Sequence, residues 1–480
     1  MATPALVLLP EWGSGHLMSM LESCKRVLLS SSGGKAFSIT LLVMRPPTAE
    51  ATSEVEAHVR REAACGLDIR FHRLPAVEAP TDAVGVEEFI ARYIGLHAPH
   101  VRDAVAAMAC PVAALVLDLF AAPLVDVARG LGVPSYVFMS STGAMLALML
   151  HLPVLHESVP AVDFDEMEGD VPLPGLPPVP PDSMPCPVAD KRSPNYACFV
   201  RLGDRFMDAT GVIANTADEL EPGPLAAVAR GRCVPGRPAP PVYPIGPVLS
   251  LGGRSPSHEC VAWLDAQPPG SVAFLCFGSM GWFDPPQVAE ITAALERCGH
   301  RFLWVLRGPP SDASGSEHPT DANLDELLPE GFLERTGGKG LVWPTWAPQK
   351  EILAHPAVGG FVTHGGWNSV LESLWHGVPM APWPLYAEQH LNAFQLVADM
   401  GVAVPLKVDR KRGNFVVAAE LERAVRSLMD ADGEQGRRAR EKAARMKAVC
   451  RKAVEEGGSS HAALQRLAEA LHDGAVIPKK

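Results

Sequence analysis

The sequence predicts an α/β protein with two doubly wound parallel sheets in separate domains, and three observations carry that expectation. At 480 residues, 47% of them apolar, the chain exceeds what one hydrophobic core usually serves yet has enough apolar residues for two. Short apolar runs alternate with helical stretches through both halves, the pattern of parallel strands joined by crossover helices. Between the halves, VPGRPAPPVYPIGPVLSLGGRSP at 234–256 interrupts the alternation, which then restarts. The expected division is an N-terminal domain over 1–240, a linker over 241–256, a C-terminal domain over 257–460, and a helix and tail over 461–480 that pack back on the first domain.

In the first half, strands are expected at ALVLLP (5–10), FSITLLVM (37–44), LDIRFHRLP (67–75), AALVLDLF (113–120) and PSYVFMS (134–140), with helices near 15–31, 87–108 and 122–131. Residues 152–193, centred on PLPGLPPVPPDSMPCP, are expected to be a long covering loop, because proline breaks helix and strand alike. ATGVIANT (209–216) resumes the sheet. In the second half SVAFLCFGS (271–279), HRFLWVLR (300–307), GLVWPTW (340–346), AVGGFVTH (357–364) and GVPMAPW (377–383) read as strands. Residues 308–330 are polar and bear Gly, Ser and Pro, so a surface insertion with little regular structure is expected there. Residues 417–473 read as two or three amphipathic helices.

Composition narrows the function. With 42 basic and 54 acidic residues the net charge is −12, and no basic run interleaves with aromatics, so nucleic acid is excluded as a partner. The ten cysteines form neither a CxxC pair nor a Cys/His cluster at metal-ligand spacing; they read as reduced core thiols, with no metal site. The opening apolar run is too short for a signal peptide and lacks a basic flank, and no stretch approaches ~20 uninterrupted apolar residues. A cytoplasmic monomer without a membrane partner is expected, and Lys479 and Lys480 read as a solvated tail.

Doubly wound sheets bind ligands beyond the carboxyl ends of their strands, at the switch point, so the expected site is the cleft between the two domains. The segment 346–389, WAPQKEILAHPAVGGFVTHGGWNSVLESLWHGVPMAPWPLYAEQ, has the chemistry of a pocket for a nucleotide carrying a sugar. Trp346 and Gln349 suit a uracil ring, Glu372 suits ribose hydroxyls, and Glu388 with Gln389 suits a hexose. In THGGWNS an apolar strand ends, two glycines permit a tight turn, and a helix begins, which is an anion site with His364, Asn368 and Ser369 as added donors. Ser279, after another strand, is placed to join them. Singly, a Trp in such a turn is usually core, a His a satisfied loop residue and a Glu a solvated helix face; their joint occurrence points to a ligand. Neither GxxxxGK[ST] nor GxGxxG is present, which counts against P-loop phosphoryl transfer and against a nucleotide-dependent oxidoreductase.

This stretch resembles the signature box of plant family-1 UDP-glycosyltransferases at nearly every characteristic position. The resemblance extends to GSGHL (13–17), VLDLF (116–120), YPIGPVL (243–249) and CVAWLDAQPPGSVAFLCFGSMG (260–281). It implies two facing Rossmann-like domains of the GT-B type, the second binding UDP-sugar and the first an acceptor. By position, Trp346 would stack on uracil and Gln349 hold the uridine; His364, Asn368, Ser369 and Ser279 would bind the diphosphate, Glu372 the ribose, and Glu388 and Gln389 the sugar, with Ala347, Gly366 and Trp367 completing the donor pocket. Gln389 resembles glucose users, since galactose users tend to carry His there.

His16 and Asp118 match the family's catalytic dyad, although their spacing alone would not pair them. A phenol of pKa about 10 facing an imidazole of about 6.5 needs a positioned base, and Asp118 would fix the tautomer. The acceptor pocket is expected from residues 11–14, 83–100, 139–149 and 185–205, with Trp12, Gly15, Phe120, Ser140, Ser141, Met145 and Trp282 as candidates. Met139, Met145 and Met149 read equally as an adaptable wall or as core. Ser19, where many relatives have Pro, and Trp282, where they have a small residue, depart from the family pattern. The resemblance implies inverting transfer of glucose from UDP-glucose to a flavonoid or other phenolic hydroxyl, giving a β-O-glucoside without metal or further cofactor. The alternatives are a terpenoid, hormone or carboxylate acceptor, C-glycosylation, or a catalytically silent nucleotide-sugar-binding protein.

Overall fold

The computed structural model describes residues 3–30, 36–158, 163–249, 258–311, 318–430 and 433–478. The end of the expected linker, parts of the covering loop and of the 308–330 insertion, and the Lys479–Lys480 tail lie outside the described residues. The chain forms two compact units, Met1–Ser250 with Lys452–Lys480, and Leu251–Arg451. The boundary near the C-terminus falls inside the helix Glu434–Val454.

In the first unit, β1 (Ala5–Leu9), β2 (Ser38–Val43), β3 (Ile69–Arg73), β4 (Val112–Asp118), β5 (Ser135–Met139), β6 (Gly211–Ala214) and β7 (Val242–Pro244) form one sheet of order β3-β2-β1-β4-β5-β6-β7. Every pairing is parallel. The chain winds outward from β1 to β3, then returns to place β4 against β1 and winds the other way, so the switch point lies between β1 and β4. Both strands are buried along their whole length, as central strands covered on two faces must be. Leu464, Leu467 and Leu471 of the C-terminal helix Ser459–Asp473 pack into the same core, and Ser460 Oγ donates to the Gly246 carbonyl.

Local chemistry explains where this unit departs from expectation. The helix expected over 87–108 is two, Val86–Leu96 and Ala98–Ala106, meeting at His97 because Pro99 sits in the first turn of the second. A further helix, Ala49–Ala63, starts at Thr48, whose side chain accepts from the Ala51 amide. The helix Gly143–Ser158 is apolar nearly all round and contains Pro153, so the covering loop starts later than expected; it also holds the turn Cys186–Ala189. A Cβ on Gly203, in the helix Pro194–Phe206, would stand 2.1 Å from the Met149 carbonyl oxygen, so the two helix backbones touch there.

The second unit holds β8 (Val272–Cys276), β9 (Arg301–Val305), β10 (Arg307–Pro310), β11 (Pro319–Asp321), β12 (Gly340–Trp343), β13 (Val358–Thr363) and β14 (Met380–Pro382). Its parallel sheet runs β12-β9-β8-β13-β14, the same winding with a switch point between β8 and β13. The segment expected to be irregular instead forms an antiparallel ribbon of β10 and β11, followed by a turn of helix at Leu324–Leu327. Arg307 ties the ribbon by donating to the carbonyls of Pro319 and Thr320, an arrangement with no apolar periodicity to announce it. None of the ten cysteines is in a disulfide and seven are buried. Among the described residues no helix is long and apolar enough to cross a membrane.

Glu221 fixes the start of the helix Gly143–Ser158. Its fully buried carboxylate accepts from the amides of Gly143 (2.7 Å) and Ala144 (3.1 Å) and from Thr216 Oγ (2.6 Å). Replacing Glu221 by alanine leaves these donors without their acceptor in an apolar interior. Urea denaturation followed by far-UV circular dichroism is expected to show a loss of about 3 kcal/mol; a loss below about 1 kcal/mol would mean that this helix start does not need the carboxylate.

Candidate active site

At the first unit's switch point, β1 ends at Leu9 and the chain turns through Pro10, Glu11, Trp12 and Gly13 into the helix Ser14–Ser30. His16 lies in the first turn of that helix, its side chain 28% exposed. Asp118, the last residue of β4, is fully buried; its Oδ1 accepts from the Phe120 amide at 3.0 Å and its Oδ2 from His16 Nδ1 at 2.8 Å. With the Nδ1 proton donated to a carboxylate, the lone pair of the neutral ring resides on Nε2. Ser140 Oγ stands 3.3 Å from the same Nδ1. The Phe120 ring lies 5.7 Å from the imidazole and meets Phe199 edge to face.

The other candidate acceptor residues, Trp282 excepted, belong to the same unit as the dyad. Trp12 is half-buried, edge-on to Tyr93, and Gly15 is exposed in the helix start. Ser140, Ser141 and Met145 are buried, and Met139 and Met149 are sealed in the core. Trp282 belongs to the second unit, 40% exposed, lining a pocket with Tyr386 and Arg412. Glu11, expected as part of the acceptor pocket over residues 11–14, is buried beside the dyad. Burial pushes its carboxyl above the usual range, a positive His16 pulls it down and Asp118 pushes it up. The available signal was a charged residue set between an apolar strand and a tryptophan.

At the second unit's switch point, Cys276 and Thr363 are in register, so the loops after β8 and β13 leave side by side. The His364 ring is packed between two glycines: a Cβ on Gly278 would lie 2.8 Å from its Nε2, and one on Gly366 2.5 Å. Gly278 has φ 76°, a second reason for glycine. His364 Nδ1 is buried without a protein partner, and burial lowers the ring's pKa to about 4. The helix Trp367–His376 then begins at Gly366, which offers no side-chain cap. Ser279 is exposed, Asn368 half-buried and Trp367 buried.

Gln349 joins two other candidates: its Nε2 donates to Ser369 Oγ at 3.0 Å and to Glu372 Oε2 at 2.7 Å. Burial raises the Glu372 carboxyl, with the Gln349 bond opposing. Trp346 is 65% exposed, a large ring left in solvent, while Ala347 beneath it is buried. Gln389 is 2% exposed, its Oε1 taken by the amides of Leu385 and Tyr386. Asn392 bridges Glu388 Oε1 and the Gly365 carbonyl, tying the Glu388 carboxylate to the glycine turn.

Two doubly wound units of this winding, with an uncapped helix start after a glycine turn in one and a His–Asp pair in the other, define a nucleotide-sugar glycosyltransferase of the GT-B type. The family model described as UDP-glucoronosyl and UDP-glucosyl transferase matches residues 244–434. A malvidin galactosylase of Oryza sativa subsp. japonica is 62% identical over 474 residues, covering 98% of this chain and 98% of the relative. An anthocyanidin 5,3-O-glucosyltransferase of a Rosa hybrid cultivar is 40% identical over 482 residues, covering 98% of this chain and 99% of the relative. The crystal structure of Medicago truncatula UGT71G1 complexed with UDP-glucose superposes with a TM-score of 0.83 at 34% identity, covering 98% of each chain. The chain belongs to the plant family-1 UDP-glycosyltransferases.

Burial also lowers His376 and His390 to about 4. The unfolded chain binds protons on all three histidines below about 6.5 that the folded chain refuses until about 4. Their neutral forms therefore stabilise the second unit fully above pH 6.5, and that contribution is lost as pH falls toward 4. Imidazole NMR at pH 5.5 should find His364 uncharged, and urea midpoints should fall between pH 7 and 5 with a smaller slope in His390→Gln. A His364 midpoint near 6.5 would contradict the burial argument.

Proposed function

We propose that this UDP-glycosyltransferase transfers glucose from UDP-glucose to a hydroxyl of a flavonoid or related phenolic, with inversion, giving a β-O-glucoside. The observation that carries the mechanism is the 2.8 Å contact between His16 Nδ1 and Asp118, which leaves Nε2 as a base. A phenol is about 3.5 units less acidic than imidazolium, so its proton moves to Nε2 as the new bond forms. The acceptor oxygen attacks the anomeric carbon from the face opposite UDP, the bond to the diphosphate oxygen breaks, and the imidazolium rests against the Asp118 carboxylate. The transition state is oxocarbenium-like, as in inverting glycosidases.

On the donor side Trp346, exposed and flat, is assigned to the uracil face, with Gln349 holding the uridine and Glu372 the ribose. The start of the helix Trp367–His376, with His364, Asn368, Ser369 and Ser279, is assigned to the diphosphate. His364 is uncharged there and serves as a hydrogen-bond donor. Glu388 and Gln389 are assigned to the hexose; with Gln389 Oε1 occupied by backbone, its amide NH2 is the group that faces sugar. No metal or further cofactor enters this scheme.

The relatives divide over the sugar, since the rice protein's name specifies galactosyl transfer and the rose protein's glucosyl transfer. The two hexoses differ at one hydroxyl, and Gln389 favours glucose by resemblance. We also take the protein to be a cytoplasmic monomer, a setting that suits its buried, disulfide-free thiols.

His16→Ala is expected to lower kcat with a flavonol by about 10³-fold while calorimetry finds UDP-glucose binding within about twofold; full turnover in that variant would end the base assignment. Trp346→Ala should weaken UDP binding by about tenfold through lost stacking. Mass spectrometry of products from UDP-glucose and UDP-galactose with an anthocyanidin, a flavonol and a terpenoid alcohol decides sugar and acceptor. A kcat/KM higher for UDP-galactose would replace glucose in the proposal, and product from the terpenoid alone would remove the phenolic.

A further inference from the structure

We propose that Glu11 is a positioning residue for the reaction, a second buried carboxylate that together with Asp118 sets how strongly His16 holds the acceptor's proton. This rests on the reading of His16 as the base. Glu11 is the second residue after β1 and is 5% exposed, an unusual place for a carboxylate. Its side chain folds back over the turn that starts the His16 helix. A Cβ on Gly13 would lie 2.7 Å from Glu11 Oε2 and 3.4 Å from Oε1, so only glycine leaves room for the carboxylate there. The helix itself begins on Gly13, whose carbonyl accepts from the amides of His16 (3.0 Å) and Leu17 (2.9 Å). The carboxylate thus sits at the positive end of a 17-residue helix, against the turn that sets the position of His16.

Electrostatics gives the placement its consequence. With His16 neutral, ionising both Glu11 and Asp118 would put two like charges into one buried patch, and burial with Asp118 accordingly shifts Glu11 upward. Once His16 has taken the acceptor's proton its positive charge shifts Glu11 downward, and the imidazolium then faces two carboxylates. Glu11 therefore stabilises the charge that develops during transfer more than the resting state, which is the condition for helping the reaction. Of the other titratable groups around this helix, Cys24 is buried in the core, Arg26 feels the charge of Glu22, and three more have direct partners. His58 Nε2 meets Ser14 Oγ at 2.9 Å with Arg61 on its other nitrogen, Lys25 pairs with Glu22 and Glu62, and Tyr93, against Trp12, donates to the Arg45 carbonyl.

A mere cap on the helix start would change stability without changing the proton affinity of His16. The test is Glu11→Gln, which keeps the shape and an acceptor oxygen but removes the charge. With UDP-glucose saturating, the acid limb of kcat/KM should move down by about one pH unit. The neutral-pH rate should fall about three- to tenfold for a phenol of pKa about 10 but within about twofold for a nitrophenol of pKa about 7. Gly13→Ala, which pushes the carboxylate aside without removing it, should shift the limb in the same direction and serves if Glu11→Gln folds poorly. A His16 midpoint from imidazole NMR should fall in parallel. An unmoved acid limb with equal losses on both acceptors would overturn the inference while leaving His16 as base. If His16→Ala kept its activity, the base assignment would fail first.

Discussion

The reversal of strand order is the constraint on which the rest of this molecule depends. In each sheet the chain winds outward from a first strand and then returns to that strand's other side, so two neighbouring strands send their loops in diverging directions. In the first unit this brings His16 and Asp118, 102 residues apart in sequence, to 2.8 Å. In the second it sets the loop of Gly278 against His364. The strands that do this are central in each sheet and buried almost throughout, which means the chemistry is anchored in a rigid part of the fold.

At both switch points a side chain packs over a glycine. Gly13 leaves space for the Glu11 carboxylate, and Gly278 and Gly366 leave space for the His364 ring. The consequences are opposite in sign. Burial without a neighbouring charge keeps His364 neutral, whereas His16, against a fully buried carboxylate and partly open to solvent, is placed to accept a proton. Two histidines, each just beyond a central strand, are thereby given different acid–base characters by their surroundings alone.

How much was legible in the sequence follows from how local each feature is. The central strands were readable because burial on both faces forces continuous apolar runs such as ALVLL and VAALVLD. Ser369 and Glu372 were readable as one helix side because they lie three residues apart, whereas the Gln349 contacts that join them were not. The helix Gly143–Ser158 was not readable by periodicity, since nearly every face of it is apolar, and the β10–β11 ribbon was hidden because it is held by an arginine to carbonyls. Pro99 was visible, but that it splits one helix into two depended on His97 ending the first. His16 and Asp118 could be paired only through the family resemblance, because spacing says nothing about which strands become neighbours.

Glu11 shows what remains beyond that boundary. Its role depends on a fold-back over Gly13, on the end of a strand from a distant segment, and on burial, none of which a reading of PEWGSGH supplies. A charged residue beside an apolar strand is ordinarily read as the point where the chain meets solvent. Here the carboxyl turns inward; positive charge on His16 offsets part of the unfavourable burial, and the Gly13 and Trp12 amides offset a further part. A buried acid whose environment improves when its neighbour is protonated is coupled to the proton transfer by that fact. The dyad is accordingly better described as a three-residue cluster, in which Asp118 orients the imidazole and Glu11 responds to its charge.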